Sequence, residues 1–127
     1  MSMWKRYTKI VDADDGSSAF VDAELTLSEQ PMGDGAPPML VGPLGAGQGA
    51  AFVQFAAFHG EPHPASQAQW VIVLRGVIEV EVSDGTSRRF APGDLVLATD
   101  TSGRGHITRV VGDTPFEGLG IPTTHAA

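Results

Sequence analysis

The chain has 127 residues, 42% hydrophobic and 18% charged, which suits one domain with its own core and not a disordered chain. It has no cysteine, which excludes disulfides, thiolate nucleophiles and cysteine-type zinc sites. The formal net charge is −7 and the densest basic clusters are Lys5-Arg6 and Arg88-Arg89, so nucleic acid and anionic membranes are both set aside as partners.

The first residues, "MSMWKRYTKIVDADDG", lack an apolar core of signal-peptide length before Asp12, Asp14 and Asp15, and a cytoplasmic protein is expected. Within them "MWKRYTKIV" reads as an extra edge strand. Left uncovered, it would present unpaired backbone groups, so a homodimer is expected. "FVDAELTL" (Phe20 to Leu27) puts Val21, Ala23, Leu25 and Leu27 on one face and Asp22 and Glu24 on the other, the period of a strand. From Gly35 to Phe58 there is no formal charge, long enough on paper to cross a bilayer. Its Pro37, Pro38, Pro43 and glycines instead predict a loop, followed by a buried strand over "AAFVQFAAF". "GAGQGA" (Gly45 to Ala50) imitates a dinucleotide loop but leads into that strand, so no helix dipole meets a phosphate.

"QWVIVLRG" follows, with Gln69, Val71 and Val73 sharing one face. In "VIEVEVSDG", Ile78, Val80 and Val82 alternate with Glu79 and Glu81, and Ser83-Asp84-Gly85 forms a hairpin turn back into "TSRRF". "APGD" turns again into "LVLAT"; after the loop "TDTSGRG", "HITRVVG" is the next strand. Sixteen glycines and nine prolines punctuate these runs. The expected fold is all-β, about eight short strands in a sandwich or small barrel.

From about Ala50 to Gly112 this order resembles the cupin family. The family's first block has a His, a second His two residues on, a Glu three or four residues later, and a Gly after six more. Counted back from Gly76, the Glu position falls on Gln69, the first His on His63 and the second near Ala65. The second block opens with Pro92-Gly93-Asp94 and closes on His106. The resemblance implies a jelly-roll β-barrel (double-stranded β-helix) over residues 50–121, within one domain of residues 1–127 whose first 49 residues supply edge strands and a loop.

Family metal centres use three His and one Glu around Fe, Mn, Ni, Cu or Zn. This chain keeps His63 and His106, offers a neutral amide at Gln69 and has Ala65 at a ligand position. The resemblance therefore implies the pocket more strongly than the metal. His59, four before His63, and Glu61 share its parity along a strand and are further ligand possibilities, although Pro62 disturbs the alternation. Gln69, Gln54 and Thr108 are assigned to substrate binding. Thr108 shares the face of His106, whereas Arg109 points outward. Asp100, in a Gly-rich loop, is either an orienting partner for a histidine or a solvated turn former. Trp70 is expected in packing.

Three functions stay open. His63 and His106 serve as acid and base on a small organic molecule, in isomerase, lyase or dehydratase chemistry. Or the pocket holds a ligand without reaction, or a divalent transition metal supports oxygenation. There is no credible Ser-His-Asp set for acyl transfer.

Overall fold

In the computed structural model, eleven strands and no helix account for the regular structure of the described residues, which are 3–45, 47, 49–56 and 61–124. The strands are β1 (Trp4–Asp12), β2 (Ser18–Thr26), β3 (Ser28–Gln30), β4 (Met39–Val41), β5 (Ala51–Phe55), β6 (Gln69–Arg75), β7 (Val77–Val82), β8 (Ser87–Phe90), β9 (Leu95–Ala98), β10 (His106–Val111) and β11 (Phe116–Pro122). Six form one sheet in the order β2-β1-β9-β6-β11-β5, three form a second in the order β10-β7-β8, and β3 pairs with β4 in a short arm. The protein is thus all-β, with several sheets. No helix among the described residues is long and apolar enough to cross a membrane.

Alternation explains how the two larger sheets meet. Ile78, Val80 and Val82 of β7 turn inward, with Phe90 of β8, against Ile10, Val73, Val96, Ala98 and Phe116 of the larger sheet. Glu79 and Glu81 face out, where they pair with Arg89 and Arg109. The outward expectation for Arg109 therefore holds. The larger sheet carries a second cluster on its outer face, where Trp70 is fully buried among Tyr7 and Leu97, packed by Leu25, Leu44 and Ile121. Its indole N–H donates to the Leu44 carbonyl at 2.6 Å, and Tyr7 meets its ring edge-on at 4.8 Å. Leu44 thus helps to cover this face by packing and by its carbonyl.

Two turns hold the frame. Gly85 N–H bonds to the Val82 carbonyl and Val82 N–H to Thr86, with Gly85 at φ +97°. This is a type I turn closed by a left-handed glycine, so Gly85 alone of the Asp-Gly pair takes positive φ. At Pro92-Gly93-Asp94, Gly93 N–H donates to the Val73 carbonyl, Val73 N–H to that of Asp94, and the Asp94 carboxylate accepts from Ala91 N–H. The turn is thereby stitched to the middle of β6.

Three expectations are corrected. β1 is no edge strand: it pairs antiparallel with β2 along its whole length and parallel with β9 through Thr8, Lys9 and Ile10. The sheet ends instead on β2 and β5, which removes the argument from an exposed β1 to a dimer. β5 is not the buried strand expected: it lies at the sheet edge beside β11, four of its five residues are exposed, and Phe52 is 61% exposed. Among the described residues the strand count is eleven rather than about eight: β3 and β4, of three residues each, are too short to show a period, and the expected strands do not include β11 (Phe116–Pro122).

Candidate functional site

Between the sheets lies one cavity of about 360 Å³ into which His63, Gln69, His106 and Thr108 all project. Its remaining walls are aliphatic and aromatic, from Ile10, Val53, Phe55, Val71, Ile78 and Val80 among others. That composition, apolar with a few convergent polar groups, is usual for a small-molecule site.

Each polar residue arrives through local geometry. Gln69 opens β6 in register with Ala98 of β9 and Pro122 of β11, on the inward parity shared with Val71. Gly120 leaves the space beside the Gln69 amide open, since a Cβ there would stand 3.7 Å from Oε1. His106 and Thr108 alternate inward along β10, opposite Val82 and Val80. His63 lies outside the named strands but forms an antiparallel bridge with His106. The two exchange backbone hydrogen bonds, His63 N–H to the His106 carbonyl at 3.2 Å and His106 N–H to that of His63 at 3.0 Å. Their ring centroids are 5.7 Å apart. Gly105, at φ +77°, makes this approach possible, because a side chain there would run into the His63 carbonyl and Pro64.

His106 has a partner behind it. Its Nδ1 lies 2.5 Å from Oδ2 of Asp100, a side chain with no exposure to solvent. Asp100 is therefore the orienting partner and not a solvated turn former. Loop 99–105 is pinned too firmly to be free. Thr99 donates N–H and Oγ1–H to the Ile10 carbonyl, and Asp12 accepts from Ser102 N–H, Ser102 Oγ–H and Gly103 N–H. Arg104 N–H reaches the Gly16 carbonyl. The Asp100 carbonyl in turn accepts from Ala65 N–H at 3.0 Å. One residue thus ties down both histidine segments.

The contact fixes the chemistry of the ring. Of the two neutral tautomers, a carboxylate at Nδ1 selects the one that carries its proton there, which leaves the lone pair on Nε2. His63 Nδ1 lies 3.0 Å from the Pro64 carbonyl, which likewise favours a proton on Nδ1. Asp100 Oδ1 is buried and has no hydrogen-bond partner among the described residues. A half-satisfied buried carboxylate is costly, and such an exception in a native fold calls for a reason.

Other sequence-predicted residues fall elsewhere. Gln54 is corrected: it sits between Val53 and Phe55, which face the cavity, so its own side chain points to the other side and donates to Glu117 at 2.9 Å. Glu61 is exposed and contributes nothing to the cavity wall. His59 lies outside the described residues. Ala65 is buried in the core at the second-His position. Among the described residues no group of three or more His, Cys, Asp or Glu side chains is placed to hold a metal. His106 Nδ1 is engaged by Asp100, Gln69 is neutral and the carboxylate position is empty of charge. The described donor set does not fit the four-ligand centre of the cupin family.

No protein-family model matches this chain, and no curated protein matches it either.

Proposed function

We propose that this is a small cupin-like domain that binds a small organic molecule between its sheets and moves a proton on it. His106 Nε2 acts as general base and returns the proton as general acid, with His63 beside it as a second proton carrier. Gln69 and Thr108 orient the substrate by hydrogen bonds. The observation that carries this reading is the buried Asp100 carboxylate on Nδ1 of a histidine that faces a largely apolar cavity. An imidazole so held presents a single basic nitrogen to a largely apolar site, an arrangement that suits general base catalysis. Support for the jelly-roll assignment comes from the order of turns and strands, with Pro92-Gly93-Asp94 stitched to β6 and the two block histidines paired. A homodimer through an exposed sheet edge, β2 or β5, belongs to the same proposal, and sedimentation at micromolar concentration tests it.

The test is proton exchange. Enolisable ketones from cyclohexanone to 1-tetralone, incubated in deuterium oxide, should lose α-hydrogen faster with the protein than in buffer. The His106→Ala protein should show the buffer rate. An unchanged rate for every ketone, with binding still detectable, favours the second reading, a non-catalytic binding domain. That reading draws on the absence of a third ligand-type residue in the described cavity wall. Isomerase, lyase and dehydratase reactions that begin with such a proton transfer are the class proposed.

A further inference from the structure

The cavity has two unlike ends. At one, Gln69 pairs with Ala98, two residues before the Asp100 that holds His106, and His63 is bridged to His106. The hydrogen-bonding groups are therefore gathered there. At the other end Phe116 pairs with Phe55 across β11 and β5, their rings stacked with centroids 4.9 Å apart and planes 29° from parallel. Next to Phe116, the β6–β7 turn packs close to the start of β11: a Cβ at Gly76 would stand 2.6 Å from the Pro115 carbonyl. From Gly120, beside Gln69, the strand runs four residues to Phe116, about 13 Å at the usual rise. The second sheet shows the same gradient, from His106 and Thr108 opposite Val82 and Val80 to Val110 opposite Ile78.

Charge is the other constraint. No Lys, Arg, Asp or Glu lines the cavity among the described residues. An anionic headgroup would lose its water without gaining a cation, and a sugar would bring more hydroxyls than the walls can satisfy. An aromatic body gains contact with a stacked ring pair.

We infer that the cavity takes a neutral, flat, largely apolar molecule of one or two fused rings bearing a single phenolic hydroxyl or ketone. The oxygen lies among His63, Gln69 and His106, and the rings lie toward Phe55 and Phe116. This specificity rests on the proposed site and excludes phosphorylated and carboxylated substrates from it.

The experiment is a titration of isotope-labelled protein followed by nuclear magnetic resonance, with 2-naphthol and 2-naphthyl phosphate as probes. The expected result is that 2-naphthol shifts signals from both ends of the cavity and binds at least tenfold more tightly than the phosphate. Phe55→Leu, at a partly buried position that keeps an apolar side chain, should weaken 2-naphthol at least fivefold. Equal or tighter binding of the phosphate within the cavity overturns the inference and leaves the site standing. Shifts confined to residues outside the cavity, or no shifts with either probe, overturn both.

Discussion

Asp100 and His106 form a joined pair at the cavity wall, the carboxylate wholly buried and 2.5 Å from the imidazole Nδ1. Through its backbone carbonyl Asp100 also holds Ala65, and so the segment that carries His63. Asp100 is thus a positioning residue: it sets which nitrogen of His106 faces the cavity. Asp100→Asn has nearly the same volume but loses the charge that selects the tautomer. Nitrogen-15 spectra of the neutral ring should show Nδ1 protonated in the parent and a mixture of tautomers in the variant. Proton exchange on a bound ketone should fall about tenfold or more, the usual effect of losing an orienting partner. A drop in melting temperature with the tautomer unchanged would reduce Asp100 to a purely structural role.

Gly105 sets the distance between the histidines. Its φ of +77° and its closeness to the His63 carbonyl leave no space for a methyl group. Gly105→Ala should destabilise the protein by about 3 kcal/mol or more, since positive φ strain is compounded by a clash with rigid backbone. Urea denaturation measures this. A loss within the range of an ordinary surface change would mean that the His63 segment moves aside freely, and the bridge would then not define the site.

Much of this site was legible in the sequence because strands have a period of two. Gln69 shares parity with Val71 and Val73, and Thr108 with His106, so their convergence follows once the strands are placed. Gln54 failed because "AAFVQFAAF" is apolar on both faces, and parity then carries no direction. Asp100 was harder. Acids in glycine-rich loops are usually wet, and its burial depends on Asp12 and Ile10, roughly ninety residues away in sequence, gripping the same loop. The parallel pairing of β1 with β9 is equally long-range. No local pattern in "WKRYTKIVD" distinguishes an edge from an interior strand.

Acid sensitivity has a clear surface source at Asp22. Asp22 donates no stability by burial, but Arg88 hydrogen-bonds to its carboxylate at 2.6 Å. That bond, and then the guanidinium charge, hold its pKa below the ordinary 3.8. A carboxyl whose folded pKa is depressed stabilises the fold above its unfolded value, and this contribution fades as pH falls through the folded one. Between about pH 7 and about pH 3 the parent should therefore lose more of its urea midpoint than Asp22→Asn does. Parallel profiles for the two proteins would show that the pair contributes nothing, the common fate of exposed ion pairs.

The last prediction concerns the amide at Gln69. In the resemblance to cupins this residue falls where their metal centres carry a glutamate, and Gln69 shares the cavity with His63 and His106. Gln69→Glu would assemble two imidazoles and one carboxylate, a set that suits divalent iron, cobalt and zinc. Without metal, the new carboxylate faces largely apolar walls with no cation among the lining residues, so stability should fall by about 1–3 kcal/mol. With metal, that charge becomes a ligand. Calorimetric titration with cobalt(II) or zinc(II) should show affinity at least ~10-fold above the parent, with the lost stability recovered on saturation. Equal affinity in parent and variant would place Gln69 out of reach of the two histidines. The substrate-orienting role proposed for its amide would then fail as well, because both roles require the side chain to converge on the same point as Nε2 of His106.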